Sequence, residues 1–364
     1  MKIGILGTRG IPNEYGGFEQ FAEYLSVDLV QRGHEVWVYN SSLHQYKEKT
    51  FKGVNLISCY DAEAKLGTAG QFIYDLNCII DSRKRSFDVL LQLGYTSSAI
   101  WHPFLPKSKS IIVTNMDGLE WKRSKYSPKV QRFLKWSEKA AVKSSHHLVA
   151  DSLGIKKYLE DQFGVASTFI AYGATPVEEV DPFLLDEFEL APRTYDMILA
   201  RMEPENNIEN LLKAWVEANI DGELIIIGRY NNSFGSKLYQ EYKSHAKIRW
   251  LGPVYDINKL DALRWNSRFY FHGHSVGGTN PSLLEAMASK AFIIANDNPF
   301  NKAVLEDKAY YFSGSKDLAK LLQQLYENQD FGEQFREDNW RKIKDYENDL
   351  GWIHISQLSR TRST

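Results

Sequence analysis

Short apolar runs rich in Ile, Leu and Val alternate with longer stretches of helical periodicity along almost the whole chain, the pattern of a parallel sheet flanked by helices. The runs fall into two series. Strands are expected at 2–6, 35–39, 54–58, 88–92, 110–114, 146–150 and 167–170, and again at 195–200, 223–228, 247–251, 268–272, 291–295 and 309–312. Between the series lies Gly173 to Arg193, acidic, punctuated by prolines and poor in periodicity, which reads as a linker. The chain's 364 residues exceed what one hydrophobic core usually supports, so two domains are expected. The boundaries predicted are 1–175 for a Rossmann-like domain, 176–193 for the linker, 194–340 for a second Rossmann-like domain and 341–364 for a helical tail. Trp340, Ile343, Tyr346, Trp352, Ile353 and Ile355 make that tail too apolar to stay undocked. Open α/β sheets bind ligands at the carboxyl ends of their strands, so two doubly wound sheets facing each other predict a cleft with the chemistry in it.

A net charge of −2 argues against general nucleic-acid binding. Cys59 and Cys78 are too few for a disulfide framework, which fits a reducing cytoplasm. The chain enters a strand at Lys2, leaving no room for a signal peptide, and no apolar run approaches the ~20 residues of a spanning helix. Membrane association is therefore expected to be peripheral, on the inner face of the cell membrane. Lys122, Arg123, Lys125, Lys129, Arg132 and Lys135 interleave with Trp121, Tyr126, Phe133 and Trp136, so residues 121–136 suit an anionic membrane surface. A solvated helix face with its aromatics in the core accounts for the same pattern.

Residues 271–288 compress a strand end, a glycine turn and a helix start into one segment. Gly277 and Gly278 permit backbone angles that turn several N–H groups toward one point. Asn280 suits an N-cap and Pro281 the first helical position, and the helix dipole favours a phosphate at that mouth. Glu285, one turn inside, would repel phosphate unless it accepted hydroxyl donors, which a sugar supplies. An ordinary capped helix with a solvated Glu is the plainer alternative. The first βα turn, from Gly7 to Glu19, lacks the dinucleotide spacing but sets Gly16 and Gly17 at a second helix N-terminus, with Arg9 available as a cation. Asp117 ends the fifth strand, where an acid binds sugar hydroxyls or caps a turn. Arg201 ends the first strand of the second series, placed for a diphosphate or a surface ion pair. His272 and His274 share a face at i, i+2, but no third metal ligand stands nearby and no Asp-x-Asp occurs. Metal-free phosphate binding by amides and Arg201 is expected.

The segments Gly7–Glu19, Asn115–Arg123, Ala200–Asn207 and Gly273–Ala286, in that order, resemble bacterial glycosyltransferases of family 4, closest to the rhamnosyltransferases of capsule, O-antigen and cell-wall polysaccharide assembly. The resemblance implies a GT-B fold, retention at the anomeric carbon, no metal or other cofactor, and a C-terminal helix crossing back onto the first domain. Carried over by position, Glu285 matches the second Glu of the family's Glu-x7-Glu motif, with Gly277 where the first would stand. Arg201 matches the diphosphate arginine, with Asn206 in place of the usual lysine, and Asp117 stands where many members carry a His. The implied site has Asp117, Arg201 and Glu285 as catalytic residues. The donor lies against Gly16, Gly17, Arg201, Gly277, Gly278, Thr279, Asn280 and Glu285, with Arg9, Asp117 and His274 touching the sugar or acceptor. The expected reaction moves L-rhamnose from a dTDP-linked donor, or a sugar from a UDP-linked one, to a lipid-linked saccharide. A nucleotide-sugar 2-epimerase and a non-catalytic nucleotide-sugar-binding scaffold are the alternatives. Replacing Arg201 or Glu285 by Ala is expected to remove most turnover and leave the fold intact.

Overall fold

The computed structural model describes residues 1–14, 16–116, 118–123, 126–170, 173–276, 280–328 and 332–348. Up to Ile170, apart from Arg123, they form one compact unit; Arg123 and the residues from Gly173 onward form the other.

The first unit carries β1 (Lys2–Leu6), α1 (Gly17–Gln31), β2 (Glu35–Ser41), β3 (Thr50–Phe51), β4 (Val54–Cys59), α2 (Glu63–Leu66), α3 (Gly70–Ser82), β5 (Val89–Leu93), β6 (Ile111–Asn115), α4 (Pro128–Ser144), β7 (His147–Ala150), α5 (Leu153–Phe163) and β8 (Thr168–Phe169). Its sheet runs β3-β4-β2-β1-β5-β6-β7-β8, parallel except for β3. Strands covered on both faces need continuous apolar sequence, and Ile3, Ile5, Val38, Leu90 and Ile112 are fully buried. The strand order reverses direction between β1 and β5. There Gly7 leaves β1 at φ +88, and a Cβ on it would lie 2.2 Å from the Leu93 carbonyl oxygen, so only glycine lets the chain pass.

Every strand expected from the sequence is present within a few residues of its predicted ends. Strand β3 is not among the expected strands. Two residues long, it pairs antiparallel with β4 through a tight turn in which Lys52 (φ 45) and Gly53 (φ 85) both take positive φ. Such turns are usually signalled by Asn-Gly or Asp-Gly, and Lys-Gly hides the hairpin.

The second unit carries β9 (Tyr195–Leu199), α6 (Ile208–Ala218), β10 (Glu223–Ile227), α7 (Ser233–Tyr242), β11 (Ile248–Gly252), α8 (Ile257–Asn266), β12 (Tyr270–His272), α9 (Pro281–Ala288), β13 (Ile293–Asn296), α10 (Pro299–Leu305), β14 (Tyr310–Phe312), α11 (Ser315–Asn328) and α12 (Glu333–Asn348). Its parallel sheet runs β11-β10-β9-β12-β13-β14 and reverses between β9 and β12. Trp215, Phe269, Phe292 and Phe312 fill the core on one face.

The stretch read as a linker packs on this second unit. Pro182–Phe188 forms a 3-10 turn capped by Asp181, Leu185 is buried, and the Val177 N–H donates to the Ala288 carbonyl at 3.0 Å. The expected start of the tail, residue 341, falls inside α12, whose Trp340 and Ile343 are buried; the Trp340 indole donates to the Val177 carbonyl at 2.9 Å. Arg336 locks this helix down through the carbonyls of Lys290 (2.8 Å), Ser267 (3.1 Å) and Arg268 (2.8 Å). The remainder of the tail, 349–364, lies outside the described residues, so the expected crossing helix does too.

Candidate active site

β9 and β12 are neighbours at the reversal of strand order, the position where open α/β sheets bind ligands. Arg201 follows β9 and His274 follows β12. The Arg201 side chain is exposed, and no ion pair engages it among the described residues. Its carbonyl accepts a hydrogen bond from the Asn206 side chain at 2.8 Å, and Asn206 is buried. The residue standing at the family's lysine position therefore closes the turn that presents Arg201, and a buried amide there does not reach out to a ligand.

The β12–α9 connection is clamped from behind. Asn207 donates to the Gly273 carbonyl at 2.8 Å, while Asn298 and Asn301 each donate to the His274 carbonyl at 3.0 Å. Ser275 binds the Glu205 carbonyl through both its N–H (3.0 Å) and its hydroxyl (2.8 Å). Gly273 approaches so closely that a Cβ would lie 2.1 Å from the Asn206 carbonyl oxygen. These bonds fix the backbone of Gly273, His274 and Ser275. Asn280 caps α9, accepting from the Ser282 N–H (3.0 Å) and hydroxyl (2.8 Å), and Pro281 opens the helix as the sequence predicts. Its side-chain oxygen is thus occupied by the helix. Gly277, Gly278 and Thr279, the core of the predicted anion cradle, lie outside the described residues, and so does Asp117.

His272 and His274 stack with centroids 4.4 Å apart and planes 14° from parallel. His272 is fully buried with neither ring nitrogen hydrogen-bonded among the described residues, and burial, reinforced by His274, holds its pKa well below the ordinary value. Burial and then the Arg201 charge push His274 down to about 3. The pair is neutral at physiological pH, so the positive charge felt there comes from Arg201 and Arg123. Among the described residues no cluster of three or more His, Cys, Asp or Glu suits a metal ion.

Glu285 is neither solvated nor simply aimed at the helix mouth. Its carboxylate pairs with the buried Arg264 guanidinium from α8, which also binds Asp261 at 2.9 Å. Burial alone lowers the Arg264 pKa, but the charges of Glu285, Tyr270 and Asp261 outweigh it and the net displacement is upward. Ser289 completes the network, donating to Asp261 at 2.9 Å. Arg264 and Asp261 are not among the expected site residues, and their i, i+3 spacing on α8 is the one local signal for them.

In the first unit, Gly16 caps α1 as expected, but the loop before it is not an open anion cradle. The N–H groups of Arg9, Gly10, Ile11 and Asn13 donate to Glu19 (2.8 Å), Thr8 (2.7 Å), Asn40 (3.1 Å) and Glu23 (2.8 Å). Arg9, expected as an available cation, instead makes a two-point ion pair with Glu63, at 3.1 and 2.7 Å. The reason is the acidic surroundings: a cavity of about 140 Å³ there is lined by Arg9, Glu14, Glu19, Ser41, Leu43, His44, Asp61 and Glu63. The His44 Nδ1 accepts from the Tyr46 N–H (3.1 Å), and its Nε2 lies 3.0 Å from the Pro12 carbonyl oxygen.

Residues 193–341 match the family described as glycosyl transferases group 1, and residues 1–175 match a domain of unknown function, DUF1972. Arg201, His274, Asn280 and Glu285 all lie within the first of these matches. The serotype-specific mannosyltransferase WbdA of Escherichia coli is 29% identical over 142 residues, 36% of this chain and 17% of that protein's length. Among solved structures, sucrose-phosphate synthase from Thermosynechococcus elongatus superposes with a TM-score of 0.82 at 15% identity, covering 99% of this chain and 98% of the other. HepE of Anabaena, in complex with UDP and glucose, gives 0.74 at 15% identity over 100% and 99%. The chain has the GT-B fold of two Rossmann-like units.

Proposed function

From the premise that its second unit is a group 1 glycosyl transferase domain in a GT-B chain, we propose that this protein transfers a sugar from a nucleoside diphosphate to a lipid-linked saccharide in capsule, O-antigen or cell-wall polysaccharide synthesis. L-Rhamnose from dTDP-rhamnose is the donor of this reading. The observation that carries it is the switch point of the second sheet, where Arg201 is exposed beside a clamped β12–α9 turn and a capped helix N-terminus. Departure of the nucleoside diphosphate builds negative charge on its phosphate, and a guanidinium with peptide dipoles stabilises that charge without a metal ion. In this reading Gly277, Gly278 and Thr279 supply amides, Asp117 orients the sugar or the acceptor hydroxyl, and Gly16 and Gly17 lie against the donor. Transfer is retaining, with same-face attack assisted by the leaving phosphate. The similarity to a mannosyltransferase and to HepE with UDP and glucose supports a nucleotide-sugar donor. The protein works in the cytoplasm and meets its acceptor at the inner face of the cell membrane.

The test is a panel of nucleotide sugars assayed for thermal stabilisation and then, with a lipid-linked acceptor, for transfer in the presence of chelator. Transfer from dTDP-rhamnose, lowered about 10- to 100-fold in kcat/KM by Arg201→Ala with an unchanged melting temperature, is the expected result. Loss of activity on chelation, restored by a divalent cation, or wild-type rates in Arg201→Ala, would overturn the reading.

A further inference from the structure

Helix α4 presents one face whose charge and apolar content match neither the core nor an ordinary solvated surface. Pro128 opens it, and Leu134, Ser137, Glu138, Ala140, Ala141 and Ser144 are buried on its inner side. At 100° per residue, Lys129, Arg132, Trp136, Lys139 and Lys143 fall within one narrow outward sector, with Lys135 beside it. All six are exposed, Trp136 to 46%. The helix has one carboxylate, Glu138. It is buried and accepts from the Tyr158 hydroxyl at 2.9 Å, so it neutralises nothing on the outer face. Among the described residues no ion pair engages Lys129, Arg132, Lys139 or Lys143. A chain with net charge −2 thus concentrates unpaired cations on one helix face.

An apolar strip continues from that face. Trp136 packs on Phe133 at 5.9 Å, Phe133 on Phe72 of α3 at 5.9 Å, and the Trp101 indole donates to the Phe72 carbonyl at 2.7 Å. Trp101 in turn contacts Phe104, which is 44% exposed. An exposed indole at the centre of a cation row, backed by linked aromatic rings, has the composition of an interfacial membrane contact, where cations meet headgroups and the indole enters the headgroup layer.

We infer that the outer face of α4 docks on anionic phospholipid headgroups. This deepens the reading of a lipid-linked acceptor, since a protein held on the bilayer meets such an acceptor in two dimensions. The attraction is electrostatic, about fivefold in affinity per cation near the surface, and is screened by salt.

The test is sedimentation of the full chain with vesicles of phosphatidylcholine alone or with phosphatidylglycerol, at low and high salt. Binding only to the phosphatidylglycerol vesicles, weakened by salt, is expected. Neutralising Lys129, Arg132, Lys139 and Lys143 to Gln should weaken it a hundredfold or more, and Trp136→Ala should weaken it further without altering its salt dependence. Melting temperatures should not change, because these side chains are exposed. Equal binding to both vesicle types, wild-type binding by the neutralised variant, or capture by single-stranded RNA with no vesicle binding would overturn the inference. Transfer to a water-soluble acceptor analogue should be unaffected in these variants. A wild-type protein that bound vesicles but transferred no sugar would refute the functional reading and leave the docking surface standing.

Discussion

Arg264, fully buried on α8, holds the carboxylate of Glu285 on α9 in an ion pair, so the acid assigned to donor binding is oriented from inside the second unit. Breaking a buried pair leaves an uncompensated charge, which is strongly destabilising. Glu285→Ala is therefore expected to lower stability by about 3 kcal/mol as well as turnover, because among the described residues the Arg264 guanidinium then keeps only Asp261 as a carboxylate partner. This revises the sequence-based expectation that the fold would be untouched. Adding Arg264→Met should recover most of the stability and none of the turnover. Urea midpoints and kcat/KM for the single and double variants check both statements; full stability in Glu285→Ala would contradict them.

Asp75, buried on α3, is pushed up to about 7 by burial, against the opposing Ser97 hydrogen bond at 2.6 Å and with a further upward push from Asp61. A carboxyl whose folded pKa is raised favours folding fully below its unfolded pKa, and that contribution disappears as pH rises through the folded value. Between about pH 4 and about pH 7 this group makes the protein less stable as pH rises, with a slope of up to about 1.4 kcal/mol per pH unit. Asp75→Asn should remove that slope and gain on wild type across the window. Melting temperatures of the two proteins at several pH values test it, and parallel curves would refute it.

Gly273 lies against the Asn206 carbonyl, where a Cβ would come within 2.1 Å. Gly273→Ala is expected to cost about 1–3 kcal/mol by overpacking and to shift the turn next to Arg201, lowering turnover. Gly314, with open space around its Cβ position, supplies the control: Gly314→Ala should be close to neutral. Denaturant midpoints for the two variants should separate clearly.

The candidate site was legible where its signals are local. Asn280 before Pro281 specified a helix start, and the structure caps α9 there. Arg201 at a strand end could be placed because the strand pattern was strong. Nothing local announces that Arg9 pairs with Glu63, which stands 54 residues away. Asn206 read as a lost cation, since nothing in the sequence announces that its side chain folds back on the Arg201 carbonyl.

By itself the sequence determined the elements and their class. Apolar runs of strand length, helical periodicity and caps act over a few residues, and they specified two parallel α/β units with nearly every strand in place. Only the tertiary structure decided which charged and polar groups meet. Arg264 reaches Glu285 across 21 positions, Arg9 reaches Glu63 across 54, and Asn207 reaches Gly273 across 66. Such pairs form when packing removes side chains from water and leaves each buried polar group to find whichever partner the fold brings within reach, a condition that no local pattern encodes.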